Sequence, residues 1–178
     1  MKKISIFDST LRDGAQGEGV SFSVEDKLAV VEYLDRLGVD YIEGGNPASN
    51  PKDCEFFERV AELELKNAKM VSFTSTHKVG ADPAMDPSLN AVLQAKTEYV
   101  SVFGKSWDMH VTDILNATLE QNLEIIRSTV DYLTKNGKTV FYDAEHFYDG
   151  YKANPEYAMQ TLEAALEGGA KVLVLCDT

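Results

Sequence analysis

An arginine and an aspartate stand side by side where the first apolar run of the chain stops, within the stretch FDSTLRDGAQ of residues 7–16. The carboxylate of Asp13 offers a hard oxygen ligand to a divalent cation, and the guanidinium of Arg12 can donate to a carbonyl oxygen that gathers negative charge. Gly14 then allows a tight backbone turn beneath a ligand. As a surface ion pair alone, the two residues would contribute little.

Six short β-branched runs precede clusters of this kind, and each run is predicted to be a buried strand. They cover residues 4–7, 40–43, 70–73, 99–103, 139–142 and 171–175. Stretches of helical period lie between them. Ser23 is a predicted N-cap with Asp26 three residues later, Gly38 is a predicted C-cap, and Leu28, Val31, Leu34 and Leu37 form the apolar face between them. A second helix is predicted across residues 112–137, and a third after Asn154 and Pro155.

This strand and helix alternation predicts parallel strands with right-handed crossovers, and hence an α/β fold. A (β/α)8 TIM barrel takes about 250 residues, whereas this chain has 178 and stops on its sixth strand. Two architectures therefore remain open, an open doubly wound sheet and a barrel truncated to about the first six strands. No linker or charge block divides residues 1–178 into two domains.

Polar residues gather after every predicted strand, which is where both architectures bind ligands. All three histidines of the chain are among them. This density predicts a small-molecule site, with ordinary solvated loop chemistry as the alternative. The residues are Asp8, Arg12, Asp13 and Gln16; Glu43, Asn46 and Ser49; Thr74, Ser75, Thr76 and His77; Lys105, Ser106, Asp108 and His110; Asp143, Glu145 and His146; Asp177 and Thr178.

Composition narrows the class of partner. The net charge is −12 with no Lys/Arg-rich run, so no nucleic acid is expected. No apolar run approaches the about 20 residues of a membrane span, and the first apolar run is too short for a secretory signal, so we expect no membrane association and a cytoplasmic location. Cys54 and Cys176 form no CxxC pair and are expected to be buried free thiols.

The stretch DSTLRDGAQ, followed by GVSFSVEDKL, resembles the opening of the DRE-TIM metallolyases, specifically the acyl-CoA-condensing branch with the isopropylmalate, homocitrate and citramalate synthases. Gln16 fits that branch, whereas the hydroxymethylglutaryl-CoA lyases tend to read PRDGLQ. Two further stretches, IEGGNPASNPKDCEFF and FYDAEHFYDGYKANPEYA, look like the citramalate synthase subfamily. The resemblance covers essentially the whole chain.

The resemblance implies a Claisen-type condensation, in which acetyl-CoA as co-substrate loses a methyl proton and its enolate attacks a 2-oxo acid held on a divalent metal (Mg, Mn or Zn). Thioester hydrolysis then frees CoA. The implied roles are metal ligand for Asp13, oxyanion stabilisation and substrate contact for Arg12, and loop support and substrate contact for Gln16. Glu145 would contact substrate and position or move a proton, and Thr178 would bind the 2-oxo acid carboxylate.

Substrate choice is implied to lie with His77 and Phe103, whose bulk would suit the methyl group of pyruvate and hence citramalate as product. His110 resembles a histidine of an SDIH-like segment of the synthases, but the spacing here has an apparent extra residue around Trp107. His146 has no family counterpart and is expected to be a hydrogen-bonding loop residue.

The other metal ligands of the family come from an HxH pair after the seventh strand, and this sequence has no HxH. Residues 1–178 are therefore expected to be the N-terminal part of a catalytic barrel and inactive alone. A homodimer is expected for the full-length enzyme. Two alternatives stay open, a lyase or aldolase of the same superfamily acting on a 3-hydroxyacyl-CoA, and a non-catalytic fragment that binds a 2-oxo acid.

Overall fold

The structure, a computed structural model, describes residues 4–178. Its strands are β1 (Phe7–Asp8), β2 (Tyr41–Gly45), β3 (Lys69–Ser75), β4 (Tyr99–Lys105), β5 (Thr139–Glu145) and β6 (Val172–Leu175). Its α-helices are α1 (Val24–Leu37), α2 (Pro51–Val60), α3 (Pro87–Gln94), α4 (Leu119–Lys135), α5 (Phe147–Ala153) and α6 (Pro155–Glu167). Short 3₁₀ turns lie at Gly14–Gln16 and Pro83–Met85, and a π turn at His110–Ile114.

The six strands form one parallel sheet, and each strand pairs with the strand directly before it in sequence. A doubly wound sheet needs a point where the strand order reverses, and the described residues contain none. The sheet is also curled, because the ring of Phe7 on β1 lies 5.8 Å from that of Phe141 on β5. The fold is a truncated TIM-type barrel, and the doubly wound alternative is wrong.

The predicted strands are confirmed, although most of them continue beyond the apolar run. The prediction that all six strands are buried is wrong for the two edge strands, β1 and β6. Phe7 of β1 and Val172 of β6 are 38% and 41% exposed, because among the described residues each edge strand has a neighbour on one side only. The predicted start of β1 is wrong as well, since Ile4 and Ile6 lie outside the strand and are exposed.

Alternate strand residues face opposite sides of the sheet. Val100, Val140 and Tyr142 face outward and are fully buried in the core that β4 and β5 form with α3, α4 and α6. Facing inward, the rings of Tyr41 and Phe141 lie 5.1 Å apart and begin an aromatic layer near the amino ends of the strands. Aromatic rings therefore fill the interior near the amino ends of the strands, and the polar side chains lie at the carboxyl ends.

The caps of the first helix are as predicted, with a reciprocal Ser23 and Asp26 capping box and Gly38 in the left-handed region. The predicted apolar face is wrong at Leu37, which is 78% exposed where the helix ends. The third predicted helix is confirmed as α6, capped by Asn154.

The continuous helix predicted over residues 112–137 is wrong. Asn116 has a φ of 52°, in the left-handed region that interrupts a right-handed helix. Thr118 then starts α4 anew through a capping box with Gln121.

Among residues 4–178, no helix is both long enough and apolar enough to cross a membrane. The two cysteines are free thiols as expected, but the predicted burial is wrong for Cys54, which is exposed on α2. Cys176 follows β6 and is partly buried.

Candidate active site

The loop after β1 is folded around one backbone oxygen. The carbonyl of Ser9 accepts hydrogen bonds from the amides of Arg12, Asp13 and Gly14 at 3.1, 2.8 and 3.2 Å. This tight turn places Arg12 and Asp13 at the carboxyl end of the strand. The turn itself does not depend on glycine, because a Cβ on Gly14 would come no closer than 3.7 Å to its nearest neighbour, Thr10.

Three groups hold the guanidinium of Arg12. Its Nε donates to Oε2 of Glu43 at 2.6 Å, and Nη1 donates to Oδ1 of Asp13 at 3.2 Å. The flat face of the group lies over the ring of Phe73, 4.3 Å from its centroid. Burial raises the pKa of Glu43, and the positive charge of Arg12 opposes that rise. The arginine is thus oriented by the second and third strands before any ligand arrives.

A row of contacts continues from this arginine across the next strands. The rings of Phe73 and Phe103 are stacked with centroids 5.3 Å apart. Lys105 lies beyond, with its Nζ 5.8 Å from the Phe103 centroid, and forms an ion pair with Glu145. The structure therefore brings Arg12, Phe103 and Glu145 onto one rim, as expected for strand-end residues. Lys105 was among the strand-end residues singled out from the sequence, whereas Phe73 was not.

Gln16 and Asp13 belong to the same loop as Arg12 and are exposed. The side chain of Asp13 is 64% exposed. Gln16 is exposed as well, and lines a cavity of about 430 Å³ together with Arg12, Asn46 and Ser49.

His77 is set apart from Arg12. Its Nδ1 lies 2.9 Å from the carbonyl oxygen of Lys78 and its Nε2 lies 2.8 Å from the hydroxyl of Ser128 on α4, so both ring nitrogens have protein partners. His77 and Phe103 line one cavity of about 290 Å³, of which Arg12 is not a lining residue. Their role in substrate choice stays a prediction.

The other two histidines meet beyond β4 and β5. The rings of His110 and His146 are 4.7 Å apart, and Trp107 lies 4.8 Å from His110. Burial, helped by the nearby His146, lowers the pKa of His110. The π turn His110–Ile114 begins here and holds more residues per turn than an α-helix would.

Thr178 reaches the same cluster. Its hydroxyl accepts a hydrogen bond of 3.4 Å from the backbone amide of His146. His146 itself has a φ of 52° and its Nδ1 lies 3.3 Å from a carboxylate oxygen of Asp149. The hydrogen-bonding loop role expected of His146 is confirmed.

A buried ion pair beneath the rim was missed by the sequence reading. Lys27 is 4% exposed, and its Nζ donates to Oδ1 of Asp53 at 2.6 Å and to the carbonyl oxygen of Gly44 at 3.1 Å. Burial disfavours ionised Asp53, but hydrogen bonds from Lys27 and Ser49 outweigh it and hold the pKa of Asp53 below its ordinary value. The signal was present in the sequence, since Val24, Lys27 and Val31 share one helical face.

This ion pair supports the end of β2, which bulges at Gly44 and Gly45. The pairing register with β3 shifts between Glu43 and Gly45, and Gly45 has a φ of 119°. A Cβ on Gly44 would lie 2.7 Å from the ring of Phe56, so no larger residue fits there. The bulge adjoins Glu43, and so Lys27 stabilises the backbone that aims this carboxylate at Arg12.

Residues 4–178 do not make a metal site by themselves. No group of three or more His, Cys, Asp or Glu side chains in this part of the chain could hold an ion. Asp13 offers one hard oxygen of the kind that divalent cations prefer, but one carboxylate does not bind such an ion tightly.

Residues 3–178 match the HMGL-like family. The chain is 54% identical to an (R)-citramalate synthase of Aquifex aeolicus (strain VF5) over 177 residues, which cover 99% of this chain and 34% of that protein. It is 33% identical to a 2-isopropylmalate synthase of Halalkalibacterium halodurans, covering 100% of this chain and 33% of that protein. The chain thus spans about a third of the length of these relatives.

The crystal structure of a hydroxymethylglutaryl-CoA lyase from Pseudomonas aeruginosa has the same fold. It superposes with a TM-score of 0.76 at 21% identity, covering 99% of this chain and 58% of that one. At this identity the likeness concerns the fold alone, whereas the family match extends over residues 3–178. The chain belongs to the HMGL-like family.

Proposed function

We propose that residues 1–178 form the N-terminal part of the catalytic barrel of an acyltransferase. This enzyme condenses acetyl-CoA with a 2-oxo acid. The proposed 2-oxo acid is pyruvate, which gives citramalate and CoA. The observation that carries the proposal is the oriented guanidinium of Arg12 beside Asp13, in a chain 54% identical to an (R)-citramalate synthase. The relatives are about three times as long, so the activity is assigned to a longer protein.

Arg12 supplies a fixed cation where a ketone oxygen would gain negative charge. Preorganised donors of this kind are worth more than the same donors in water, because they need not reorient during the reaction. Its Nε is engaged by Glu43 and Nη1 by Asp13, which leaves Nη2 as a donor with no hydrogen-bond partner among residues 4–178. We assign the binding of the 2-oxo acid oxygen to this nitrogen.

Glu145 is the proposed proton-handling group. Lys105 forms an ion pair with Glu145 on the rim. The side chain of Glu145 is 26% exposed, so Glu145 remains accessible to a ligand. Gln16 would support the loop and contact substrate, Thr178 would bind the substrate carboxylate, and His77 and Phe103 would bound the pocket for its methyl group.

Asp13 is the proposed protein ligand to a divalent cation, Mg²⁺, Mn²⁺ or Zn²⁺, with the remaining ligands supplied outside this chain. When bound, such an ion polarises a carbonyl oxygen as a Lewis acid. Asp13 is exposed on the same loop as Arg12, so a substrate oxygen could meet both. We further propose a cytoplasmic homodimer that acts on small molecules and uses neither nucleic acid nor membrane.

A lyase acting on a 3-hydroxyacyl-CoA is the second candidate, since a hydroxymethylglutaryl-CoA lyase shares the fold. Identity favours the synthase, at 54% to the citramalate synthase against 21% to that lyase. For residues 1–178 taken alone, the further alternative is a fragment that binds a 2-oxo acid without catalysing a reaction.

The test is CoA thiol release from acetyl-CoA by the full-length protein that carries this sequence, with Mn²⁺ and each of pyruvate, 2-oxoisovalerate and 2-oxoglutarate. Release with pyruvate alone is the expected result. Release with none of the three, together with cleavage of a 3-hydroxyacyl-CoA, would transfer the assignment to the lyase. Arg59→Lys, on the exposed surface of α2, is the matched control for variants of Arg12.

A further inference from the structure

Asp143 is a buried carboxyl group with no hydrogen-bond partner among residues 4–178. It lies on β5 two residues before Glu145 and therefore on the same, inward face of the strand. Its exposure is only 7%. Of the other buried carboxylates, Asp35 and Asp53 each accept three hydrogen bonds, Asp86 accepts two from backbone amides, and Glu43 accepts one from Arg12. Asp143 has no such protein partner among residues 4–178 and lines a cavity instead.

The carboxyl of Asp143 faces a cavity. This cavity has a volume of about 520 Å³, and Arg12, Phe141, Val174 and Cys176 line it together with Asp143. Its floor is apolar, and its charged groups are one guanidinium and one carboxyl. Such a lining fits a small ligand that has several acceptor oxygens and a short hydrocarbon part.

The charges around the cavity decide whether an anion binds beside the ionised or the un-ionised form of Asp143. Arg12 faces Asp143 from the loop after β1, Glu43 from β2, Glu145 from the same strand and Cys176 from the end of β6. Glu43 already engages Arg12 at 2.6 Å. If Asp143 were also ionised, two carboxylates would face one guanidinium, and the cavity would repel a further negative charge.

Burial favours the neutral form of Asp143. Desolvation, together with the negative charge of Glu43, raises the pKa of Asp143 to about 7, while Arg12 opposes the rise. Burial also raises the pKa of the Cys176 thiol to about 12, so this neighbour is neutral in the same range. Below about pH 7, the cavity wall therefore carries mainly a carboxylic acid that can donate one hydrogen bond.

We propose that the un-ionised carboxyl of Asp143 donates a hydrogen bond to an oxygen of the anionic 2-oxo acid beside Arg12, so that substrate binding requires this proton. The inference rests on the proposed function, because that function supplies the identity of the ligand. Asp143 is accordingly a substrate-binding residue. The proton stays on Asp143 throughout, and no bond is made or broken.

The test is calorimetric titration of pyruvate into the full-length protein with Mn²⁺ and without acetyl-CoA, between pH 6 and pH 9. For the unmodified protein, the dissociation constant should rise by up to about tenfold per pH unit above pH 7. Asp143→Asn keeps a neutral donor at every pH, so its dissociation constant should not follow that rise. Asp143→Ala should bind about tenfold more weakly at pH 6, because it has no donor.

Asp131→Asn is the matched control, since Asp131 is a surface residue paired with Lys135 on α4. This variant should follow the unmodified protein, and melting curves establish that every variant is folded. Equal pH dependence of the unmodified protein and Asp143→Asn, or unchanged binding by Asp143→Ala at pH 6, would overturn the inference. Failure of pyruvate to bind the unmodified protein at any pH would overturn it as well.

Acetyl-CoA turnover, measured on the same preparations, separates this inference from the proposed function. Absence of CoA release with the expected binding pattern would end the synthase assignment and leave the role of Asp143 standing. CoA release with pyruvate, together with the same pH dependence of pyruvate binding in Asp143→Asn as in the unmodified protein, would support the synthase assignment and end the role of Asp143.

Discussion

Nε of Arg12 and Oε2 of Glu43 are 2.6 Å apart, joining the loop after the first strand to the end of the second. The carboxylate side chain is fully buried, whereas the guanidinium side chain keeps 23% exposure. The buried partner fixes the exposed one, so the arginine presents a defined face to any ligand at the rim. This arrangement is preorganisation in the sense that catalysis requires.

Arg12→Lys in the full-length protein should lower kcat for CoA release by about 100-fold, with a much smaller effect on the melting temperature. An ammonium keeps the charge but loses the planar fork that reaches Glu43 and Asp13 while stacking on Phe73. Steady-state kinetics and thermal melting measure the two effects. The control Arg59→Lys should change neither, and a variant whose sole defect was a lower melting temperature would refute the catalytic role.

Asp13→Asn should raise the dissociation constant for Mn²⁺ at least about tenfold, because an amide oxygen carries no charge to offset that of the cation. Electron paramagnetic resonance of free Mn²⁺ in the presence of the full-length protein measures this constant. Asp131→Asn serves as the control. Unchanged Mn²⁺ affinity would remove Asp13 from the ligand set.

Lys27→Met should reduce the free energy of unfolding by about 3 to 5 kcal/mol, because it leaves the buried carboxylate of Asp53 without its cation. Urea denaturation of the full-length protein measures the loss. Lys135→Met removes an exposed partner of Asp131 and should cost about 1 kcal/mol or less. The double variant Lys27→Met/Asp53→Asn should recover part of the loss, and equal losses for Lys27→Met and Lys135→Met would contradict the argument.

Asp143 should make stability depend on pH. Its pKa is about 7 in the folded chain against an ordinary 3.8, so between these values the folded state binds more protons than the unfolded state. The stability contribution of Asp143 is therefore full below about pH 4, falls as pH rises to 7 and is level above that. The melting temperature of Asp143→Asn should gain on that of the unmodified protein across this window, and a constant difference between the two would disprove the shift.

Phe103→Ala should broaden the choice of 2-oxo acid. The ratio of kcat/KM for 2-oxobutanoate to that for pyruvate should rise about tenfold, since one methylene is worth roughly this much in an apolar pocket. Tyr148→Ala, which truncates an exposed aromatic residue on α5, should leave the ratio unchanged. The same ratio in both variants would exclude Phe103 from substrate choice.

The alternation of strand and helix was readable because it depends on local patterns. Apolar runs, caps such as Ser23 and breakers such as Gly38 act within a few residues of themselves. The break at Asn116 was missed, although Thr118 and Gln121 carry the capping-box signature that marks a new helix start. The open alternative of a doubly wound sheet could not be dismissed from sequence, because strand order is a property of pairing between distant segments.

The same distinction between local patterns and long-range contacts decides which parts of the site could be predicted. Arg12 and Asp13 were found because they follow an apolar run directly. The contact between Arg12 and Glu43 spans 31 residues and depends on sheet register, which no local pattern reports. The placement of Asp143 and Glu145 on one inward face was implicit in the two-residue period of a strand, but the missing partner of Asp143 emerges only in three dimensions.

The sequential strand order has a consequence for biosynthesis. Since each strand pairs with the strand directly before it, every pairing partner has already left the ribosome when the next strand emerges. At about 5 to 20 residues per second, a nascent chain has seconds between one strand and the next. The truncated barrel can thus be assembled in the order of translation, with its arginine loop made first and aligned once the second and third strands have emerged.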